Sequence, residues 1–381
     1  MPEHSSLRWG YSTGACAAAL ALALWLARQQ GGLPAHVDVL FLDGKVRRLA
    51  LAPLPEQPQT AAIYKDGGDD PDCTHGALLF ATLQPCAPHE AQAQDYCLPV
   101  GNAMLIVRAG EGIGLCTRQG LDCDCGKWAI TTGPRQMIAA NLARAGMQAG
   151  CWLLVLHIRH GAELAKKTLN AQLGIVGGLS VLGSTGLVRP FSHAAYTKTI
   201  WLCTRSHALT GGKHMVFCTG GRTLRGAKKQ LEHLPASAFV CIADFIGHSL
   251  RAAEEFAMQE VSLACMAGKV CKYAAGFDNT HAHTVAQDMA LLRRELHKIC
   301  PECAVLPAVQ AAASVREALL LLPPVTAKAL LRSLAALAVA GFAQKFPTVR
   351  VHLLLFDFDG SLLFVQEQKA TGGALCCVQQ A

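Results

Sequence analysis

The apolar positions change rhythm several times along the chain. Ala15 to Ala27 is an unbroken apolar run, with Ser12-Thr13-Gly14 before it and Arg28 and Gly31-Gly32 after it. Ser and Thr cap helix starts, whereas a basic residue and glycine close helix ends, so the run predicts a helix. His36–Leu42 and Val46–Leu51 then read as two short strands, and Asp43-Gly44 between them is a hairpin signal. A proline-rich loop follows from Pro53 to Pro58. From about Ile63 to Phe191 the chain is dense in glycine, with strands at Met104–Arg108 and Leu153–Ile158 and one helix near Pro134–Ala145.

After Gly211 the pattern becomes strand, turn, helix, repeated. Strands are expected at Met215–Cys218, Phe239–Ala243, Val261–Met266 and Val351–Phe356, and helices at Leu224–Leu234, Ser249–Met258 and Val325–Phe346. A glycine-lysine turn is expected after Met266. Such alternation argues a doubly wound sheet. The expected architecture is an α+β N-terminal domain over residues 1–208 and an α/β, doubly wound and Rossmann-like C-terminal domain over 209–364. A loose tail follows over 365–381. At roughly 100–200 residues per domain, 381 residues suit that division.

Composition narrows the partners. The chain is 51% hydrophobic and 16% charged, so it can bury a sizeable core. With 34 Lys and Arg against 27 Asp and Glu, the formal charge of +7 favours anionic partners. No basic run is long and aromatics are only 6%, so the charge does not demand nucleic acid, and a small polycarboxylate or phosphate fits it as well as RNA would. Ala15–Ala27 falls short of the about 20 residues a bilayer requires, and no other stretch approaches a membrane span. Met1–Arg8 lacks the pattern of a signal peptide. The 17 cysteines therefore read as reduced thiols of a cytoplasmic protein. Cys300/Cys303 and Cys123/Cys125 have zinc-like spacing, but cysteine as a small buried hydrophobe is the preferred reading, with no protein metal. The oligomeric state is not legible; a homo-oligomer is allowed for.

Four segments carry candidate chemistry. Lys65 to Thr74 packs Asp66, Asp69, Asp70 and Asp72 into seven positions. Clustered acids are costly unless they bind a cation or share protons, so the loop is a solvated turn, a site for a hard cation, or a receptor for a sulfonium or ribose. Gly110-Glu111-Gly112-Ile113-Gly114 follows a strand and permits close ligand approach, although no clear helix follows it. Lys166 to Gly186 offers many backbone N–H donors that could cradle an anion, or forms a set of tight turns. It lacks the end of a Walker A loop, which argues against a kinase. Gly268-Lys269 follows a strand, where α/β domains place ligands, and Thr280-His281-Ala282-His283 supplies a possible base in His281. On a strand His281 and His283 would share a face. Asp357 to Leu362 mimics a phosphatase motif, but too little chain follows it for that fold.

Together these segments resemble the cobalt-precorrin-5B C(1)-methyltransferase family, the CbiD family. Gly10 to Ala19 is similar to its opening. Lys65 to Thr74 follows its K-D-x-G-D-D-P-D-x-T. Gly112 to Leu121 resembles its G-x-G-x-x-T-x-x-G-L, and Pro134-Arg135-Gln136-Met137-Ile138 its P-R-x-M-I. Leu164 to Ser192 matches its longest signature, and Gly268-Lys269 with Asn279-Thr280-His281 resembles later elements. The resemblance implies methyl transfer from S-adenosyl-L-methionine (SAM) to C-1 of ring A of cobalt-precorrin-5B, giving cobalt-precorrin-6A in anaerobic cobalamin biosynthesis. The cobalt belongs to the substrate.

On that basis the base candidates are His281, Asp66, Asp69 and Asp70. The SAM candidates are Gly110, Gly112, Gly114, Thr117, Gly177, Gly178, Ser180, Gly183 and Thr185. The substrate candidates are Thr13, Gly14, Lys65, Arg135, Lys166, Lys167, Asn170, Arg189 and Lys269. The chain departs from the family at Ala15, at Thr131-Thr132-Gly133, and at Ala286, Asp288 and Ala290, where acidic and basic residues are usual. Those last departures keep a rival open, a corrinoid-binding member without catalysis.

Overall fold

The computed structural model describes residues 7–54, 59–281 and 285–368. The chain divides into two compact units, Met1–His193 and Ala194–Ala381. The division falls after the first residue of the helix His193–Leu209, so that most of that helix counts with the second unit, whereas the expected boundary lay between residues 208 and 209.

In the first unit the expected helix forms over Thr13–Gln30. Ser12 caps it by accepting from the Ala15 N–H, and Gly31, at φ 84°, ends it with its N–H on the Ala27 carbonyl. Its residues Thr13 to Leu24 are all buried, which explains the unbroken apolar run. The hairpin forms as His36–Leu40 paired antiparallel with Val46–Ala50. A five-stranded sheet takes the order Ala61–Tyr64, Leu78–Pro85, Cys151–Ile158, Ala103–Ala109, Tyr96–Val100. All its pairings are antiparallel except that of Ala103–Ala109 with Cys151–Ile158. The first helix packs between this sheet and the helix Thr132–Arg144, with Leu20, Val39, Leu79, Leu105, Met137 and Leu154 in one core. Buried Asn141 ties that second helix to the hairpin, exchanging both amide bonds with the Leu40 backbone at 2.8 Å.

The second unit is built on a sheet of order Phe239–Cys241, His214–Cys218, Glu260–Met266, Arg350–Phe356, Leu362–Gln366. The first four strands run parallel and the last antiparallel. Their interiors are near-continuous apolar runs, as strands covered on both faces require. The chain visits the sheet first at His214–Cys218, then on one side of it, then on the other. With right-handed crossovers this puts the helices Gly221–Gln230 and Ile246–Glu255 on opposite faces.

Three expectations need correction. Gly268-Lys269 is not a turn: it lies in the first turn of the helix Ala267–Ala274. The strand Leu362–Gln366 runs into what had been read as tail, because it completes a hairpin with Arg350–Phe356. The helix Pro324–Lys345 is long and apolar enough to cross a membrane, contrary to the expectation that nothing else approached that length. It is a core helix instead: Leu330, Leu334, Ala338 and Phe342 are buried, and it packs on the helices Ala267–Ala274 and Met289–Ile299 and on Arg350–Phe356. The tail from residue 369 onward lies outside the described residues.

Candidate functional site

The acidic loop of the first unit is pinned in place by its own charges. Lys65 is 2% exposed and donates from Nζ to Asp72 Oδ2 at 2.7 Å. Burial opposes ionisation of Asp72, but Lys65 and two donors from Thr74 outweigh it and hold the carboxyl below its ordinary range. Asp66 forms a two-pronged pair with the Arg8 guanidinium and accepts from the Gly68 N–H; the Arg8 bond lowers its pKa. Asp69 accepts from the Arg8 backbone N–H at 2.6 Å. Asp70 stands apart. No cation lies within ion-pair distance of it among the described residues, and burial, then the nearby Asp72, raises its pKa.

Two exposed aromatic side chains lie at the same loop. Phe191, 65% exposed, donates its backbone N–H to Asp70 and sits at φ 52°, a left-handed conformation uncommon for a bulky residue. Trp9, 51% exposed, bridges to Gly68 in the same loop. The Arg189 guanidinium lies 5.8 Å from the Trp9 ring centre. Exposed Lys167 lies within electrostatic reach of Cys73. An unpaired carboxyl, two exposed rings and two exposed cations thus meet at one loop.

The glycine segments are closed rather than open. Gly114 donates its N–H to the Leu179 carbonyl, Leu179 to Gly112, Thr117 to Gly174, and Val181 to Ala129, all at 2.7–2.9 Å. A Cβ on Gly178 would lie 2.4 Å from the Gly112 carbonyl oxygen, and one on Gly161 only 2.2 Å from it, so these glycines let three backbones touch. Of the residues expected to cradle SAM, Gly114 and Thr117 spend their N–H groups inside the fold, and Gly112 and Gly178 are in close backbone contact, whereas the buried Ser180 hydroxyl has no hydrogen-bond partner among the described residues. Gly110 packs on His157 and Gly183 on Ser12. Gly177 faces open space, and Thr185 accepts from the Leu187 N–H.

Several substrate candidates make contacts within the fold. Thr13 Oγ1 accepts from the Leu182 N–H and reaches the Ser180 carbonyl, and Gly14 packs under Pro134. Asn170 donates to the Gly178 carbonyl. Lys65 and Asp66 are committed to ion pairs. Arg135 lies 3.9 Å over the Tyr96 ring, with its Nε buried and unpartnered. Lys166, Lys167 and Arg189 remain exposed.

The second unit holds a cavity of about 610 Å³ at the carboxyl ends of its parallel strands. Its walls include Asp244, Lys269, Lys272, Thr280, His281, Gln287, Arg316 and Phe358. Lys269 Nζ pairs with Asp244 and donates to Thr280 Oγ1 at 2.7 Å, and Thr280 Oγ1 donates to Asp244 at 2.9 Å. Ala243, next to Asp244, has φ 47°. Lys269 and His281 thus share a cavity, whereas the acidic loop belongs to the other unit. His283 lies outside the described residues, so the expected sharing of a face goes unexamined; His281 itself is in no strand. Sequence reading missed Asp244, Lys272, Gln287 and Arg316. The three-residue step from Lys269 to Lys272, one helix face, was the available signal. Of the departures, Asp288 caps the helix Met289–Ile299 by accepting from the Leu291 N–H, while Ala286 and Ala290 are exposed.

Fold and sites define a two-unit mixed α/β protein suited to small anionic ligands. A family model, CbiD, matches residues 1–190. The cobalt-precorrin-5B C(1)-methyltransferase of Geobacillus kaustophilus (strain HTA426) is 36% identical over 318 residues, 82% of each chain. That of Desulfotalea psychrophila (strain LSv54 / DSM 12343) is 34% identical over 359 residues, 94% of this chain and 97% of its own. A crystal structure of cobalamin biosynthesis protein (cbiD) from Archaeoglobus fulgidus is 20% identical, with a TM-score of 0.38 over 71% of this chain and 80% of that one, too slight a likeness to argue from. This chain belongs to the CbiD family.

Proposed function

We propose that the chain transfers a methyl group to C-1 of cobalt-precorrin-5B, giving cobalt-precorrin-6A in cobalamin biosynthesis, with SAM as donor. The observation that carries this is a relative of that name matching 94% of the chain. When bound, SAM would supply an activated methyl group for transfer to C-1.

The residues' own part is alignment and charge. The exposed rings of Trp9 and Phe191 are apolar surfaces on which a macrocycle face could stack. Exposed Arg189 and Lys167 supply cations for its acetate and propionate groups, Arg189 being suited to bidentate contacts. Asp70 is the carboxyl of the loop free to hold or accept a proton, and its raised pKa brings it closer to neutral pH. For the second unit we favour the doubly wound, Rossmann-like reading, supported by its strand order and by a cavity at the strand ends.

Titration of the full chain with S-adenosyl-L-homocysteine (SAH) tests the donor. Saturable micromolar binding is expected; no binding at millimolar SAH would overturn the reading. The rival, binding without catalysis, rests on Ala286 and Ala290. It predicts macrocycle binding with no methyl transfer.

A further inference from the structure

The charges lining the cavity of the second unit do not balance. Lys269, Lys272 and Arg316 face it, against the single carboxylate of Asp244. Asp244 is already claimed by Lys269 and Thr280. Lys272 is 7% exposed, and its one hydrogen bond among the described residues goes from Nζ to the Thr280 carbonyl at 2.8 Å. An ammonium has three donors, so two remain. No carboxylate lies within ion-pair distance of Lys272 or Arg316 among the described residues. The Arg316 guanidinium is instead laid 4.4 Å over the Phe358 ring, which leaves its donor edge free.

The helix Ala267–Ala274 adds to the excess, because its N-terminus, with the positive end of its dipole, opens on the cavity at Gly268. Lys269, in the first turn, is electrostatically unfavourable there, whereas Lys272 lies in the last turn. A buried cation without a counter-charge is costly, and proteins retain one where a ligand supplies the missing charge. Burial and then Lys269 lower the pKa of Lys272, as expected of an ammonium awaiting an anion.

We infer that this cavity is a carboxylate-binding site in which Lys272 and Arg316 grip the anion, Phe358 and Met266 cover its apolar stem, and the Asp244–Lys269–Thr280 cluster fixes the wall behind. The identity of the carboxylate rests on the methyl-transfer reading: that chemistry brings two, the amino-acid end of the donor and the acetate and propionate arms of the macrocycle. The existence of the anion site does not rest on it.

The test uses the full chain and its Arg316→Ala and Lys272→Met variants. Arg316 is exposed and Met matches the Lys272 stem, so folding should survive both changes; circular dichroism checks this. NMR titration with glutarate, a simple dicarboxylate, reads the anion site alone. Loss of a charge-assisted contact should weaken glutarate by about tenfold or more in each folded variant. Glutarate binding that is absent from the wild-type chain, or the same in all three proteins, overturns the proposal.

Isothermal titration with SAH, with its analogue lacking the carboxylate, and with uroporphyrin then identifies the source. A tenfold loss for SAH but none for the decarboxylated analogue assigns the donor. A loss for uroporphyrin alone assigns the macrocycle. Either result supports the site. If glutarate behaves as expected but neither SAH nor uroporphyrin binds the wild-type chain, the anion site stands and the methyl-transfer reading fails.

Discussion

Four aspartates lie within seven positions of one loop, yet their surroundings differ. Asp66 and Asp72 are held ionised by Arg8 and Lys65, and Asp69 accepts from a backbone N–H, whereas burial and the nearby Asp72 raise the pKa of Asp70. Two opposite predictions follow from that contrast. Asp70 has a raised folded-state pKa, so it adds stability while protonated, and that contribution is lost as pH rises through the folded value. Asp70→Asn, which cannot ionise, should therefore melt at a higher temperature than wild type at pH 7. It should also lower kcat by about 100-fold if Asp70 moves a proton. A fall in both activity and melting temperature would show a structural role instead.

Asp72 has a lowered pKa. Its contribution is present above the ordinary aspartate value of 3.8 and is lost as pH falls below it. Asp72→Ala would strand buried Lys65 and should cost about 3 kcal/mol in urea denaturation at pH 7. A loss below 1 kcal/mol would contradict the account of that pair. Sequence spacing could mark the cluster but not this division of labour, since Arg8 lies 58 positions from Asp66.

At the scale of elements, the long periodic segments were legible and the closures were not. The first helix, its caps and the hairpin follow from adjacent residues: an apolar run, Ser12, Gly31 and Asp43-Gly44. The strands Ala61–Tyr64, Leu78–Pro85 and Tyr96–Val100 lacked a clear signal: two are only four and five residues long, and the longer Leu78–Pro85 holds its place through Cys151–Ile158, far along the chain. The glycine segments show the same limit. Their composition fits both an anion cradle and close backbone packing, and only the tertiary partners distinguish them. Packing makes a definite prediction. Gly178→Ala would drive a methyl group to 2.4 Å from the Gly112 carbonyl oxygen, between backbones that cannot move aside easily. It should destabilise the first unit by about 3 kcal/mol or leave it insoluble. If Gly178 served only as a ligand contact, Gly178→Ala would fold with wild-type stability and lose SAH binding alone.

At the scale of the molecule, each unit carries a candidate site of its own. The first presents rings, cations and an unpaired carboxyl on its surface; the second encloses a cavity with more cations than it can neutralise. Family membership rests on similarity along most of the chain, and the function inferred from it makes one demand that no binding protein would meet. The most direct measurement is anaerobic incubation of the purified chain with cobalt-precorrin-5B and SAM carrying a carbon-13 methyl group, followed by mass spectrometry and NMR of the macrocycle. The account predicts one added methyl per macrocycle, labelled, at C-1, with SAH formed in equal amount. An unmodified macrocycle, with both ligands shown to bind, would contradict it and leave a binding protein.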